Sequence, residues 1–136
     1  MSADLRYLLD TNIVSDLVRR PDGAAARRLL AAGPERVALS IVVTCEIRFG
    51  LLKTGSRQLA QRLGRILEHF EVLPLEAPAD AHYADIRTAL ERAGTPIGPN
   101  DLLIAAQARA LDLILVTDNE REFSRVPDLR MENWLS

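Results

Sequence analysis

Cysteine is almost missing. Cys45 is the only one in 136 residues, so no intramolecular disulfide can form, and no Cys/His spacing of the zinc-binding kind is present. Histidine is nearly as scarce. His69 and His82 lie on helix-like segments without matching partners, and both are expected at the surface or half-buried. Lysine occurs once, as Lys53, so arginine supplies 16 of the 17 basic side chains; such a bias is ordinary for codon composition, although arginines could line one face. The longest apolar stretches, such as Leu102–Ala106 and Leu113–Val116, fall well short of the ~20 residues that span a bilayer. With no leading apolar segment and cleavage site either, a cytoplasmic protein without membrane insertion is expected. No Gly-rich phosphate loop appears, so no nucleotide cofactor is indicated. Repeats, low-complexity tracts and linkers are also absent, and one domain over residues 1–136 is expected, long enough to bury a core without a disulfide or structural metal. The formal net charge of −2 argues against a protein that coats nucleic acid with its whole surface. A nuclease remains compatible, because a bound metal can supply positive charge locally.

What is present is an alternation of short apolar runs and helical periodicities. Arg6–Leu9 reads as a buried strand that stops at Asp10, after which Ile13, Val14, Leu17 and Val18 recur at helical spacing. Pro21-Asp22-Gly23 breaks the chain, with Asp22 placed to cap a helix over Ala24–Ala32 that ends at Gly33-Pro34. Val37–Ser40 is a second strand, Val42–Leu52 a helix, and Leu59–Phe70 another. Val72–Leu75 is a third strand and Ala79–Arg92 a helix. After the loop Gly94–Pro99, Asn100 or Asp101 opens a helix to about Ala110, and Leu113–Val116 is a fourth strand. Leu129–Met131 is a candidate edge strand with Trp134 packed beside it. Parallel strands need crossover connections, and helices of ten or more residues supply them. The expected fold is therefore α/β, a mostly parallel sheet of four to five short strands with helices on both faces.

In open parallel sheets, sites form beyond the carboxyl ends of the strands. Four acids fall near such positions: Asp10 after strand one, Glu46 on the helix after strand two, Asp101 at the start of the helix before strand four, and Asp118 after strand four. Each has a structural alternative. Asp10 can cap the next helix, and Asp101 is favoured in a first turn by the helix dipole. Asp118 is an ordinary turn residue, and Asn119 or Glu122 could take its place. Glu46 is the most telling of the four. It sits among Val42, Val43 and Ile47, where an ionised carboxylate is costly unless paired with an arginine such as Arg6 or Arg48, or bound to a cation. Gly50, four residues on, weakens the helix and so implies close packing or backbone approach. Carboxylates gathered in one cleft raise one another's pKa unless a cation compensates. Oxygen-only ligands favour Mg²⁺ or Mn²⁺ over zinc, which points to metal-assisted phosphodiester hydrolysis.

Taken together, Leu8-Leu9-Asp10-Thr11-Asn12, Cys45-Glu46-Ile47-Arg48-Phe49-Gly50, the segment from Ile97 to Ala106 and the segment from Leu115 to Phe123 resemble the PIN-domain ribonucleases, specifically the VapC toxins of toxin–antitoxin modules. The resemblance covers nearly the whole chain. It implies an RNA endonuclease with Mg²⁺ or Mn²⁺ held by Asp10, Glu46, Asp101 and Asp118, with Thr11, Asn12 and Thr117 in support. It also implies a structured RNA substrate such as transfer RNA or a ribosomal RNA loop, a cognate VapB-type antitoxin, and a homodimer. Two positions depart from the pattern: Val43 stands where many relatives carry a hydroxyl, and Asn100 where an aromatic is frequent. Neither removes a carboxylate. A non-catalytic PIN-like binding module is the alternative, and a broken acidic set would mark it. A haloacid-dehalogenase-type phosphatase would want an Asp where Asn12 stands, and a receiver domain a late Lys; both are excluded.

Overall fold

The computed structural model describes residues 4–136. Five strands, β1 (Tyr7–Leu9), β2 (Val37–Ser40), β3 (Glu71–Leu73), β4 (Ile114–Val116) and β5 (Met131–Glu132), form one sheet in the order β3-β2-β1-β4-β5. Every pairing is parallel. The chain builds the sheet outward from β1 to β3, then crosses back to place β4 on the other side of β1. The switch point therefore lies between β1 and β4, where α/β sheets open a crevice at their carboxyl ends. Register makes that crevice sharp. Leu9 pairs with Val116, so the next residues, Asp10 and Thr117, emerge side by side.

Among the described residues seven helices accompany the sheet: α1 (Thr11–Arg19), α2 (Ala24–Ala32), α3 (Ile41–Thr54), α4 (Arg57–His69), α5 (Ala79–Arg92), α6 (Pro99–Ala110) and α7 (Glu120–Phe123). The core joins the strand residues Leu8, Leu9, Leu39 and Leu115 to Ile13 and Val14 of α1, Ile86 of α5 and Ile104 of α6. Leu17 and Val18 also belong to it, as an amphipathic helix requires. Trp134 is buried beside β5 and meets Tyr7 of β1 edge-on, ring centres 5.3 Å apart. None of the helices among the described residues is long and apolar enough to cross a membrane.

Several boundaries differ from those expected. β1 begins at Tyr7 rather than Arg6, and β3 spans Glu71–Leu73 rather than Val72–Leu75, because the ladder partners of these short strands set their ends. α6 starts at Pro99, with Gly98 as N-cap. A proline fits the first helical position because its missing N–H has no intrahelical partner to lose. Asp22 does not cap α2: Gly23 is the N-cap and no side chain bonds there. The 3-10 turn at Pro34–Arg36 and the single turn α7 were not anticipated, being too short to show a period. Cys45 is exposed. His69 is exposed and His82 half-buried, as expected.

Candidate active site

Asp10 follows β1 and is both helix cap and buried carboxylate. Its Oδ1 accepts the Thr11 backbone N–H at 2.8 Å, and its Oδ2 accepts the Thr117 hydroxyl at 2.7 Å from the end of β4. The two roles that the sequence left open coexist on one side chain. Glu46 reaches the same place from the second turn of α3, where Oε1 accepts the Thr11 hydroxyl at 2.9 Å. The arginine alternatives fail: among the described residues, neither Arg6 nor Arg48 pairs with it.

Past β4 the chain turns sharply. The Thr117 hydroxyl accepts the Asn119 N–H at 2.9 Å, which starts α7 and swings Glu122 inward. Glu122 accepts the Gly98 N–H at 2.9 Å through Oε1 and the Asn119 side-chain amide through Oε2. Asp101 stands in the first turn of α6, half-buried, one turn from that glycine. An unbroken series of hydrogen bonds thus links Glu46, Thr11, Asp10, Thr117, Asn119, Glu122 and the N-terminus of α6. These contacts come from four separate chain segments, all at the carboxyl end of the sheet.

Electrostatics identifies the acids that share the crevice. Burial is the main force raising the Asp10 pKa, opposed by the bonds from Thr117 and Thr11 and reinforced by the Glu46 and Glu122 charges. Asp101 is pushed up to about 7, first by burial, then by Glu122, Asp10 and Glu46. Glu122 ends below the ordinary value: burial pushes it up, but the Gly98 N–H, Asn119, Asp101 and Arg125 together outweigh it. Asp101 is consequently the acid more inclined to hold a proton, and Glu122 the ionised neighbour that accepts a hydrogen bond from it.

Asp118, expected as the fourth acid, is sent elsewhere. It is exposed, its carboxylate accepts the Asn133 amide at 3.1 Å, and its N–H donates to Asn12 Oδ1 at 3.1 Å. Glu122, the alternative, occupies the crevice. Asn12 therefore braces the β4–α7 turn, and Thr11 and Thr117 each hold a carboxylate. The helix α7 decides this outcome, anchored by the buried Phe123 beside Glu122. Asn119, unassigned except as a possible fourth acidic position, orients Glu122.

Among the described residues, no three acidic, histidine or cysteine side chains converge tightly enough to ligate an ion as they stand. The four carboxylates interact through space; Asp10, Glu46 and Glu122 are each turned toward a hydroxyl or amide, and Asp101 toward Glu122. None of them is in an ion pair with arginine or lysine among the described residues. Such a set, oxygen-only and without a compensating cation, fits a hard divalent ion by its donor chemistry.

Protonation of the raised acids couples stability to pH. An acid whose pKa is higher in the folded than in the unfolded chain favours folding while protonated, and that contribution disappears as pH rises through the folded value. For Asp101 the window runs from the ordinary value of 3.8 to about 7, and Asp10 acts in the same direction. Glu122, shifted the other way, adds stability only lost at lower pH. In chelator, the melting temperature is expected to fall between about pH 5 and about pH 7 and then level off. Asp101→Asn should flatten that fall, and a thermal melt series checks it.

The PIN domain family model matches residues 7–129. The chain is 38% identical over 130 residues to the ribonuclease VapC2 of Rickettsia felis, covering 94% of this chain and 97% of that protein. It is also 38% identical over 135 residues to the tRNA(fMet)-specific endonuclease VapC of Shigella flexneri, covering 96% and 98%. Its fold is similar to a chain in the crystal structure of VapBC2 from Rickettsia felis bound to a DNA fragment from their promoter, with a TM-score of 0.87, 34% identity, and coverage of 96% and 99%. The DNA-bound VapBC of Salmonella typhimurium gives a TM-score of 0.84 at 32% identity, with coverage of 96% and 98%.

Proposed function

Because the chain belongs to the PIN-domain family, we propose that it is a metal-dependent endoribonuclease and the toxin of a toxin–antitoxin pair. Relatives of the same length are named ribonuclease and tRNA(fMet)-specific endonuclease, which makes transfer RNA the substrate class to try first. The two solved neighbours named above are VapBC complexes, and the partner expected for this chain is a VapB-type antitoxin. The observation that carries the catalytic reading is the intact acidic set: Asp10, Glu46, Asp101 and Glu122 act on one another in a single crevice with no ion pair to neutralise them. A non-catalytic binding module would have no reason to maintain that costly arrangement.

Asp10, Glu46, Asp101 and Glu122 are the residues that would hold Mg²⁺ or Mn²⁺. Once bound, such an ion lowers the pKa of water, orients a phosphodiester and stabilises the departing oxygen. The chain's own work is positional. Thr117 and the Thr11 N–H hold the two oxygens of Asp10, the Thr11 hydroxyl holds Glu46, and Asn119 with the Gly98 N–H holds Glu122. Partners of this kind typically contribute about 10–100-fold in metal affinity or activity. The reaction adds one water across the phosphodiester: its oxygen bonds to phosphorus, the phosphorus–ribose oxygen bond breaks, and the leaving oxygen takes up a proton.

Purified protein should cut transfer RNA with Mg²⁺ or Mn²⁺ and stop when EDTA is added; cleavage that persists in EDTA would remove the metal from the mechanism. In the same assay Glu122→Gln is expected to lower the rate by about 10–100-fold, whereas Asp118→Asn should change it by less than about threefold. The reverse order would restore Asp118 as the fourth acid.

A further inference from the structure

Gly50 stands in the middle of α3, where a glycine weakens a helix. The protein does not need it for packing. A Cβ built there would meet nothing within 4 Å, so the close approach inferred from the sequence is not made by any of the described residues. The glycine instead lies on a groove of about 340 Å³ between α1 and α3. The groove begins at Thr11 and Glu46 in the carboxylate crevice and passes Ser15, Arg19, Gly50 and Lys53.

The two cations on this groove are uncommitted. Arg20, Arg87, Arg109 and Arg130 are engaged by Asp16, Glu91, Asp85 and Asp112. Among the described residues neither Arg19 nor Lys53, the chain's one lysine, has a carboxylate within ion-pair distance. Arg19 has only a long hydrogen bond, 3.4 Å, to the Ser15 hydroxyl on its own helix. The opposite rim of the crevice is mixed in sign: Asp118 and Glu120 are exposed and both bond to Asn133, while Arg121 and Arg125 are exposed on and just after α7. A polyanion is therefore drawn to the α1–α3 side, where the cations have no carboxylate of their own to answer them.

We propose that the α1–α3 groove seats the RNA strand on one side of the scissile phosphodiester, with Arg19 and Lys53 each holding a backbone phosphate and Gly50 letting the strand lie against α3. The proposal rests on the ribonuclease function above and adds where the strand runs. Such contacts position the strand without reading its sequence. Arg19 and Lys53 are positioning residues, not catalytic ones.

The test is RNA affinity as a function of salt. In an Asp10→Asn background, binding of bulk transfer RNA is titrated with and without Arg19→Gln and Lys53→Gln together. Each phosphate no longer neutralised should make the log–log salt slope shallower by about 0.7–0.9, so the pair should reduce it by about 1.5 and raise Kd about tenfold or more at low salt. Arg92→Gln removes one charge from α5, which does not line the groove, and should leave the slope unchanged. Gly50→Leu fills the groove without touching a charge; it should raise Kd about tenfold while the melting temperature holds or rises. If the parent binds transfer RNA and the double variant keeps its slope and affinity, the groove proposal is overturned alone. It falls equally if the variants disturb only the binding of a protein partner. If the wild-type chain neither binds nor cuts RNA, the ribonuclease function is overturned and this placement with it.

Discussion

Asp10→Asn is expected to reduce RNA cleavage by at least about a hundredfold while leaving the fold intact or slightly more stable. The lower bound follows from the effect of removing even an outer-shell partner of a metal ligand, about 10–100-fold; Asp10 is proposed as a ligand itself. The structural half rests on its bonds. An asparagine oxygen can accept the Thr11 N–H that Oδ1 accepts now, and asparagine caps helices as well as aspartate does. On the other side, the Thr117 hydroxyl now donates to Oδ2. Rotated, it can accept from the amide, because a hydroxyl oxygen has room for that bond beside the one from Asn119. Burial and two neighbouring carboxylates already disfavour the charge on Asp10, so neutralising it removes a cost. Cleavage kinetics and a thermal melt on one preparation check both halves, and a variant that cuts at the wild-type rate would dismiss the proposed chemistry. Activity falling as stability holds or rises is the usual signature of a strained functional site.

Trp134→Ala should lose ~3–5 kcal/mol of stability, the range for deleting a large buried aromatic, and that is a large share of the ~5–15 kcal/mol a domain possesses. The melting point should fall by roughly 10 °C or more. The side chain is 2% exposed, packs edge-on against Tyr7, and its indole N–H donates to Glu132 at 3.1 Å. It therefore clamps the last, two-residue strand onto a sheet that this strand could not hold by its own few ladder bonds. Glu132 is also the residue whose carbonyl accepts the Thr117 N–H at 2.9 Å. Loosening β5 should slacken the Thr117 hydroxyl on Asp10 and lower activity even below the melting transition. Trp134→Phe, which keeps most of the apolar area, should recover most of both losses, as chemical denaturation and the cleavage assay would record.

Which features could be read from the chain, and which could not, follows from the range of the forces involved. A buried strand announces itself by a local apolar run, so the end of β1 and the position of Asp10 were legible. Glu46 was legible because an acid flanked by valines and an isoleucine on a helix must find a polar or ionic partner. Asp101 was placed by a proline-bearing loop and a dense apolar helix. Each signal lies within a few residues of the acid concerned.

The place of Glu122 in the crevice was not legible in that way. Asp118 directly follows a strand and Glu122 does not, so local order favoured Asp118, whereas Glu122 is the one that faces Asp101 in the crevice. The choice was made by one turn of helix, too short to carry a period, and by a Gly98 N–H from a loop 24 positions earlier in sequence. Gly50 is similar: its presence was visible, but only the fold shows that none of the described residues packs against it. By itself the order of residues determined that strands and helices alternate, that the sheet is parallel, and that acids cluster at its carboxyl end, because burial and periodicity act between near neighbours. Only the tertiary structure decided which acids share a charge environment and which surface remains open beside them. Hydrogen bonds and Coulomb interactions depend on distance in space, and segments far apart in the chain must first be brought together before those terms can choose.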